Sequence, residues 1–105
     1  MKIPTEEQVL QIVYRAMDDL NPQLPAERRL EKSPDTPLFG RAGRLDSLGL
    51  VNLIVAIEQA VEDDLGATVT LADEKAMSQR SSPFRTAGIL AAYVRARIEE
   101  SAGGA

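Results

Sequence analysis

The sequence predicts an all-α fold, a bundle of four helices with a long loop between the first and second and a short third helix. Three observations lead there. Only 4% of the residues are aromatic against 44% hydrophobic, so the core has to be built from Leu, Ile, Val and Ala, the materials of helix-on-helix packing. Apolar residues recur at intervals of three and four in the long segments, the period of a helix with one buried face. Proline and glycine gather between those segments, at Pro22, Pro25, Pro34, Pro37, Gly40 and Gly43. A chain of 105 residues suits one domain with a single core, expected over residues 1–100, with "SAGGA" (101–105) as a disordered tail.

The first helix is marked by Thr5 and Gln8, a capping box in which the hydroxyl takes an amide of the first turn and the glutamine reaches back to the cap. Val9, Ile12, Val13, Ala16, Met17 and Leu20 follow on one face. Asn21 and Pro22 end it, because proline has no amide hydrogen and pushes its predecessor out of helical geometry. In the connection from Pro22 to Leu45, Ala26 to Lys32 can form a helical turn, and Leu30, Leu38 and Phe39 are the expected anchors in the core. Such a long connection either spans two helix ends running the same way or carries function, and both can hold.

The second helix is expected from about Ser47 to Leu65, closed by Gly66 in the left-handed position. Leu50, Leu53, Ile54, Ile57, Val61 and Leu65 share one sector of it. Burying each contributes about 1.5–3 kcal/mol, which makes this stripe the main support of the fold. "ATVTLADEKAM" then reads as an extended step, with Val69 and Leu71 inward, and a short helix near Ala72 to Met77. "SQRSSPF" is a loop. The last helix begins with Thr86 as its cap and turns Ala87, Leu90, Val94 and Ile98 inward, with Tyr93 at the margin.

Composition excludes several chemistries. The 12 basic and 16 acidic residues give a formal net charge of −4, and Glu58 to Glu74 is an acidic run, so nucleic acid is not an expected partner and a basic protein surface is. Cys and His are both absent, which removes disulfides, thiolate nucleophiles, imidazole bases and the usual zinc ligands; no metal site and no catalytic residue is expected. No stretch has the length of a membrane span and the start lacks a signal-peptide core, so a cytoplasmic protein without stable membrane insertion is expected.

The second helix keeps a further apolar set, Leu48, Val51 and Val55, about a quarter to a third of a turn or more from its core stripe. Glu58 and Glu62 border it. The strip is either buried under the long connection, or scattered exposure of the kind any protein has, or a docking surface. It starts at the residue after Ser47, and Ser47 itself has two readings. Serine and aspartate are both favoured helix caps, so the hydroxyl can simply start the helix. It can also be a modification site, where a phosphate would sit in the favourable field of the helix N-terminus, beside Asp46.

"LDSL" (45–48), with Val51, Leu53, Ile57 and Glu58 behind it, resembles the acyl carrier proteins, whose Asp-Ser-Leu serine receives 4'-phosphopantetheine. "LFG" (38–40) upstream, "VTLADEKAM" and "FRTAGILAAYV" (84–94) resemble further parts of such carriers, so that the likeness covers about Thr5 to Ile98. It differs from the commonest bacterial carriers in a segment about one helical turn longer between the serine and "VTL". Arg41 and Arg44 stand in the loop before the motif, and Gly49, Asn52 and Gln59 are neutral where fatty-acid carriers are often acidic. The Gly-Gly-x-Ser pattern of peptidyl carriers is missing. The resemblance implies a specialised rather than housekeeping carrier.

The resemblance further implies an acyl-carrier type of four-helix bundle that is not an enzyme, with Ser47 as the attachment site of a 4'-phosphopantetheine arm derived from coenzyme A and Asp46 and Leu48 beside it. A phosphopantetheinyl transferase, then acyl-loading and acyl-transfer enzymes of a fatty-acid, polyketide or specialised pathway, would dock on Leu48, Val51, Val55, Glu58 and Glu62. A monomer is the expectation for a carrier that shuttles. Part of an acyl chain could enter the core among Leu53, Ile54, Ile57, Val69 and Leu90, residues that plain packing also explains. The competing reading is an unmodified helical interaction module in which Ser47 is only a helix cap. A serine hydrolase would need a nucleophile elbow and a His or Lys partner near Ser47, and none is recognisable.

Overall fold

Thr5 and Gln8 form the capping box in full, Gln8 N–H donating to Thr5 Oγ1 at 3.1 Å and Thr5 N–H to Gln8 Oε1 at 2.8 Å, and they open helix α1, Glu6–Leu20. A computed structural model describes residues 3–40, 43–71 and 83–103, and over these the chain is all-helical, with α1, α2 (Ser47–Leu65) and α3 (Ala87–Gly103). The short helix expected near Ala72 to Met77 lies outside the described residues. Helix α1 is the one against which both α2 and α3 pack. All six of its expected inward residues are buried, together with Leu50, Leu53, Ile54, Ile57 and Val61 of α2 and Ala87, Leu90, Val94 and Ile98 of α3. Leu65, expected in the same stripe, is only half-buried, because the helix ends there and Gly66 turns the chain away at φ 67°.

Residues 67–71, which follow Gly66, link α2 to α3 through Leu71. Ala67, Val69 and Leu71 alternate inward, as the period of an extended chain requires. Leu71 is held at both ends of its backbone: its N–H donates to Glu58 Oε2 of α2 at 2.9 Å, and its carbonyl accepts from the Tyr93 hydroxyl of α3 at 2.8 Å. The Tyr93 ring also meets the buried Phe84 edge-on, with ring centroids 5.9 Å apart.

Proline and glycine leave the connection from α1 to α2 without long regular structure, yet several of its backbone groups find partners. It starts with two 3-10 turns, Asn21–Gln23 and Ala26–Arg28, the second shorter than the turn expected over Ala26 to Lys32. The Asn21 amide grips Leu30 by both backbone groups, at 3.0 and 2.7 Å, and brings that leucine into the core. Leu38 N–H then donates to Arg85 O (2.8 Å), Phe39 N–H to Phe84 O (3.0 Å) and Ala87 N–H to Thr36 O (3.1 Å), which staples the connection to the entrance of α3. Thr86 caps that helix as expected, its Oγ1 accepting from Ile89 N–H at 3.2 Å. The helix continues through Gly103, so residues 101–103 of the expected disordered tail are helical; residues 104–105 lie outside the described part. The alanine, glutamate and arginine content of "AAYVRARIEES" explains the extension, with Arg95–Glu99 and Arg97–Glu100 pairs along its surface.

Candidate functional site

Asp46, the residue before the serine, caps α2. It is extended (φ −82°, ψ −178°), its Oδ1 accepts the Gly49 N–H at 2.7 Å, and its carbonyl accepts the first helical bond from Leu50 at 2.9 Å. What fixes this register is Leu45, which is buried and whose amide donates to Leu38 O at 2.9 Å. With Leu45 pinned in the core, the chain can turn helical only after Asp46. This overturns the reading of Ser47 as the helix cap. Ser47 stands at the first helical position, exposed, and its hydroxyl makes no hydrogen bond with any described residue.

The apolar strip that starts beside it is open. Leu48, Val51 and Val55 are 69%, 47% and 56% exposed, so the connection does not cover them and the reading in which they are buried beneath it is wrong. The three side chains stand three and four residues apart on one face of α2, the arrangement a docking surface would use. Glu62 is exposed, while Glu58, expected at the border of the strip, is half-buried and commits one carboxylate oxygen to Leu71. Farther along α2, Asp64 pairs with Arg15 of α1 and Gln59 donates to Asp63 at 3.4 Å.

Beside the head of α2, the 3-10 turns and the first turn of that helix line a cleft of about 320 Å³, with Leu24, Arg28, Arg44, Asp46, Leu48 and Asn52 in its wall. Arg44 donates from Nη1 to Glu27 O at 3.2 Å. Arg28 makes no ion pair or side-chain hydrogen bond with a described residue. The sequence singled out Arg44 only as a departure from the carrier pattern and passed over Arg28. A cation in a proline-punctuated loop has no periodicity to give it a direction, so no signal in the sequence places it beside the serine. Ile89, 44% exposed at the start of α3, was likewise not foreseen.

The site can offer an accessible alcohol, an apolar landing strip and an adjoining cationic cleft. Among the described residues no group of carboxylates could hold a metal ion, and no described helix is long and apolar enough to cross a membrane. Leu53, Ile54, Ile57, Val69 and Leu90, the residues among which an acyl chain could enter, are all buried in the core. No protein-family model, curated protein or solved structure matches the chain.

Proposed function

We propose that this chain is an acyl carrier, with Ser47 as the attachment site of a 4'-phosphopantetheine arm. The observation that supports it best is the division of labour at the head of α2: Asp46 performs the capping, so the exposed Ser47 hydroxyl has no structural duty. The motif resemblance around "LDSL" adds to this. So does the open strip of Leu48, Val51 and Val55, which a modifying enzyme can use as its apolar contact, with Glu62 at the rim for basic side chains.

In this reading the Ser47 oxygen forms a bond to the pantetheine-bearing phosphorus of coenzyme A. The bond from that phosphorus to its bridging oxygen breaks, adenosine 3',5'-bisphosphate leaves, and the serine proton passes to a base of the transferase. A serine hydroxyl is a weak nucleophile at neutral pH, and this chain has no histidine to activate it, so the transferase and its magnesium supply base and electrophile. This chain presents the oxygen on a rigid helix end and keeps Asp46 turned to the Gly49 amide. The attached group would supply a thiol on a flexible tether, where acyl groups travel as thioesters at raised effective concentration for successive enzymes.

The short helix near Ala72 to Met77, completing a four-helix carrier bundle, belongs to the same proposal. So do a cytoplasmic, monomeric state and service in a fatty-acid, polyketide or specialised acyl-transfer pathway. The open strip also suits an unmodified interaction module, but that reading leaves the free hydroxyl unexplained. Incubation with coenzyme A, magnesium and a broad-specificity transferase, followed by intact-mass measurement, tests the proposal: the carrier gains one phosphopantetheine, whereas an unmodified module gains none.

A further inference from the structure

Arg28 and Arg44 put two cations into one wall of the cleft beside Ser47, in a chain whose formal net charge is −4. Asp46 is the acid among the residues of that wall, its Oδ1 accepting from the Gly49 amide, so the wall sets two cations against one anion. Arg44 gives one nitrogen to the Glu27 carbonyl, which directs the side chain across the loop and leaves its other donors available. The Arg28 side chain has no partner among the described residues, so neither guanidinium is neutralised by an ion pair there. A guanidinium fork fits the oxygens of a phosphate or carboxylate, and two of them in one concave wall favour an anion over a neutral ligand. Leu24 and Leu48 make part of the same wall apolar, so a short methylene chain could lie along it. Asp46 and Leu48, the residues on either side of Ser47, both line the cleft, so a flexible group attached to that serine starts one residue from its wall.

We propose that this cleft receives an anionic oxygen group attached through Ser47 and holds it between Arg28 and Arg44. The anion is either the phosphodiester at the root of the arm or a carboxylate at the end of a short acyl cargo. The tether rests on the carrier reading; the affinity of the cleft for anions belongs to the unmodified chain and is measured on it.

Heteronuclear NMR of the unmodified protein, titrated with glycerol phosphate and with succinate at matched ionic strength, gives the first test. The expected result is saturable shifts of the Arg28 and Arg44 Nε–H signals and of the Leu24 and Asn52 amides. The shifts should vanish in an R28Q/R44Q variant whose remaining spectrum is unchanged. Non-saturating shifts, or equal shifts in both proteins, overturn the proposal. The loaded protein then separates the two sources. Shifts of the arginine signals on loading alone identify the phosphodiester, and shifts with a succinyl but not a butyryl cargo identify the carboxylate. Arginine signals identical in unmodified, loaded, butyryl and succinyl forms again overturn it. Failure of the carrier reading is read separately, as no mass gain at Ser47; failure of the cleft is read in a chain that loads normally.

Discussion

The Asp46 carboxylate lies 2.7 Å from the Gly49 amide nitrogen, and through that bond the aspartate, not the serine after it, starts the second helix. Replacing Asp46 by Ala should therefore destabilise the fold by about 1 kcal/mol, the usual worth of a lost N-cap. Ser47→Ala should stay within about 0.5 kcal/mol of the parent, as an exposed substitution away from any hydrogen bond. Urea denaturation of the two variants checks both; a larger loss in Ser47→Ala than in Asp46→Ala would return the cap to the serine.

Leu48, Val51 and Val55 carry little stability because they face solvent. Leu48→Gln and Val51→Gln should leave the denaturation midpoint nearly unchanged while lowering the efficiency of arm transfer about tenfold, the equivalent of 1.4 kcal/mol of docking energy. Transfer kinetics with a purified transferase decide it. Unchanged rates in the double variant would remove the strip from the docking face.

Glu58 and Tyr93 hold the two backbone groups of Leu71 from opposite helices. Tyr93→Phe removes one neutral hydrogen bond and should cost about 0.5–1.5 kcal/mol. Glu58→Gln keeps an acceptor within reach and should cost less than Glu58→Ala, which leaves the Leu71 amide unpaired. Hydrogen exchange at Leu71 gives the local readout, with protection falling in Glu58→Ala and largely retained in Glu58→Gln.

Gly43 sits where a side chain cannot. A Cβ there would lie 2.6 Å from the Phe39 carbonyl carbon, and the Gly43 N–H donates to Gly40 O at 3.0 Å. Gly43→Ala should destabilise by about 1–3 kcal/mol, as overpacking against backbone does. It should also disturb the amide signals of Leu45 and Asp46, which follow Gly43 by two and three residues at the head of α2.

The helices were legible in the sequence because their signals are local and periodic. The Thr5–Gln8 box, the Gly66 stop and the inward residues of α1 and α3 depend on neighbours within a turn or two, and the structure has them as expected. The choice between Asp46 and Ser47 as cap was not legible, because both residue types cap helices equally well. It is decided by the burial of Leu45 and its bond to Leu38, both set by the path of the connection. The same limit hid the cationic cleft. Arg28 and Arg44 are 16 positions apart in an aperiodic segment, and the folded loop alone brings them to one wall. The half-buried state of Glu58 was also out of reach, since it depends on where the extended step after Gly66 passes.

Tryptic cleavage after Arg44 and Lys75 releases a peptide, residues 45–75, in which Ser47 is the sole serine. Mass spectrometry of that peptide, after incubation of the whole protein with coenzyme A, magnesium and a transferase, should find one phosphopantetheine on Ser47 and none in the Ser47→Ala protein. An unmodified peptide from protein exposed to a transferase that loads a control carrier, or an adduct that survives Ser47→Ala, would contradict the role assigned to this hydroxyl.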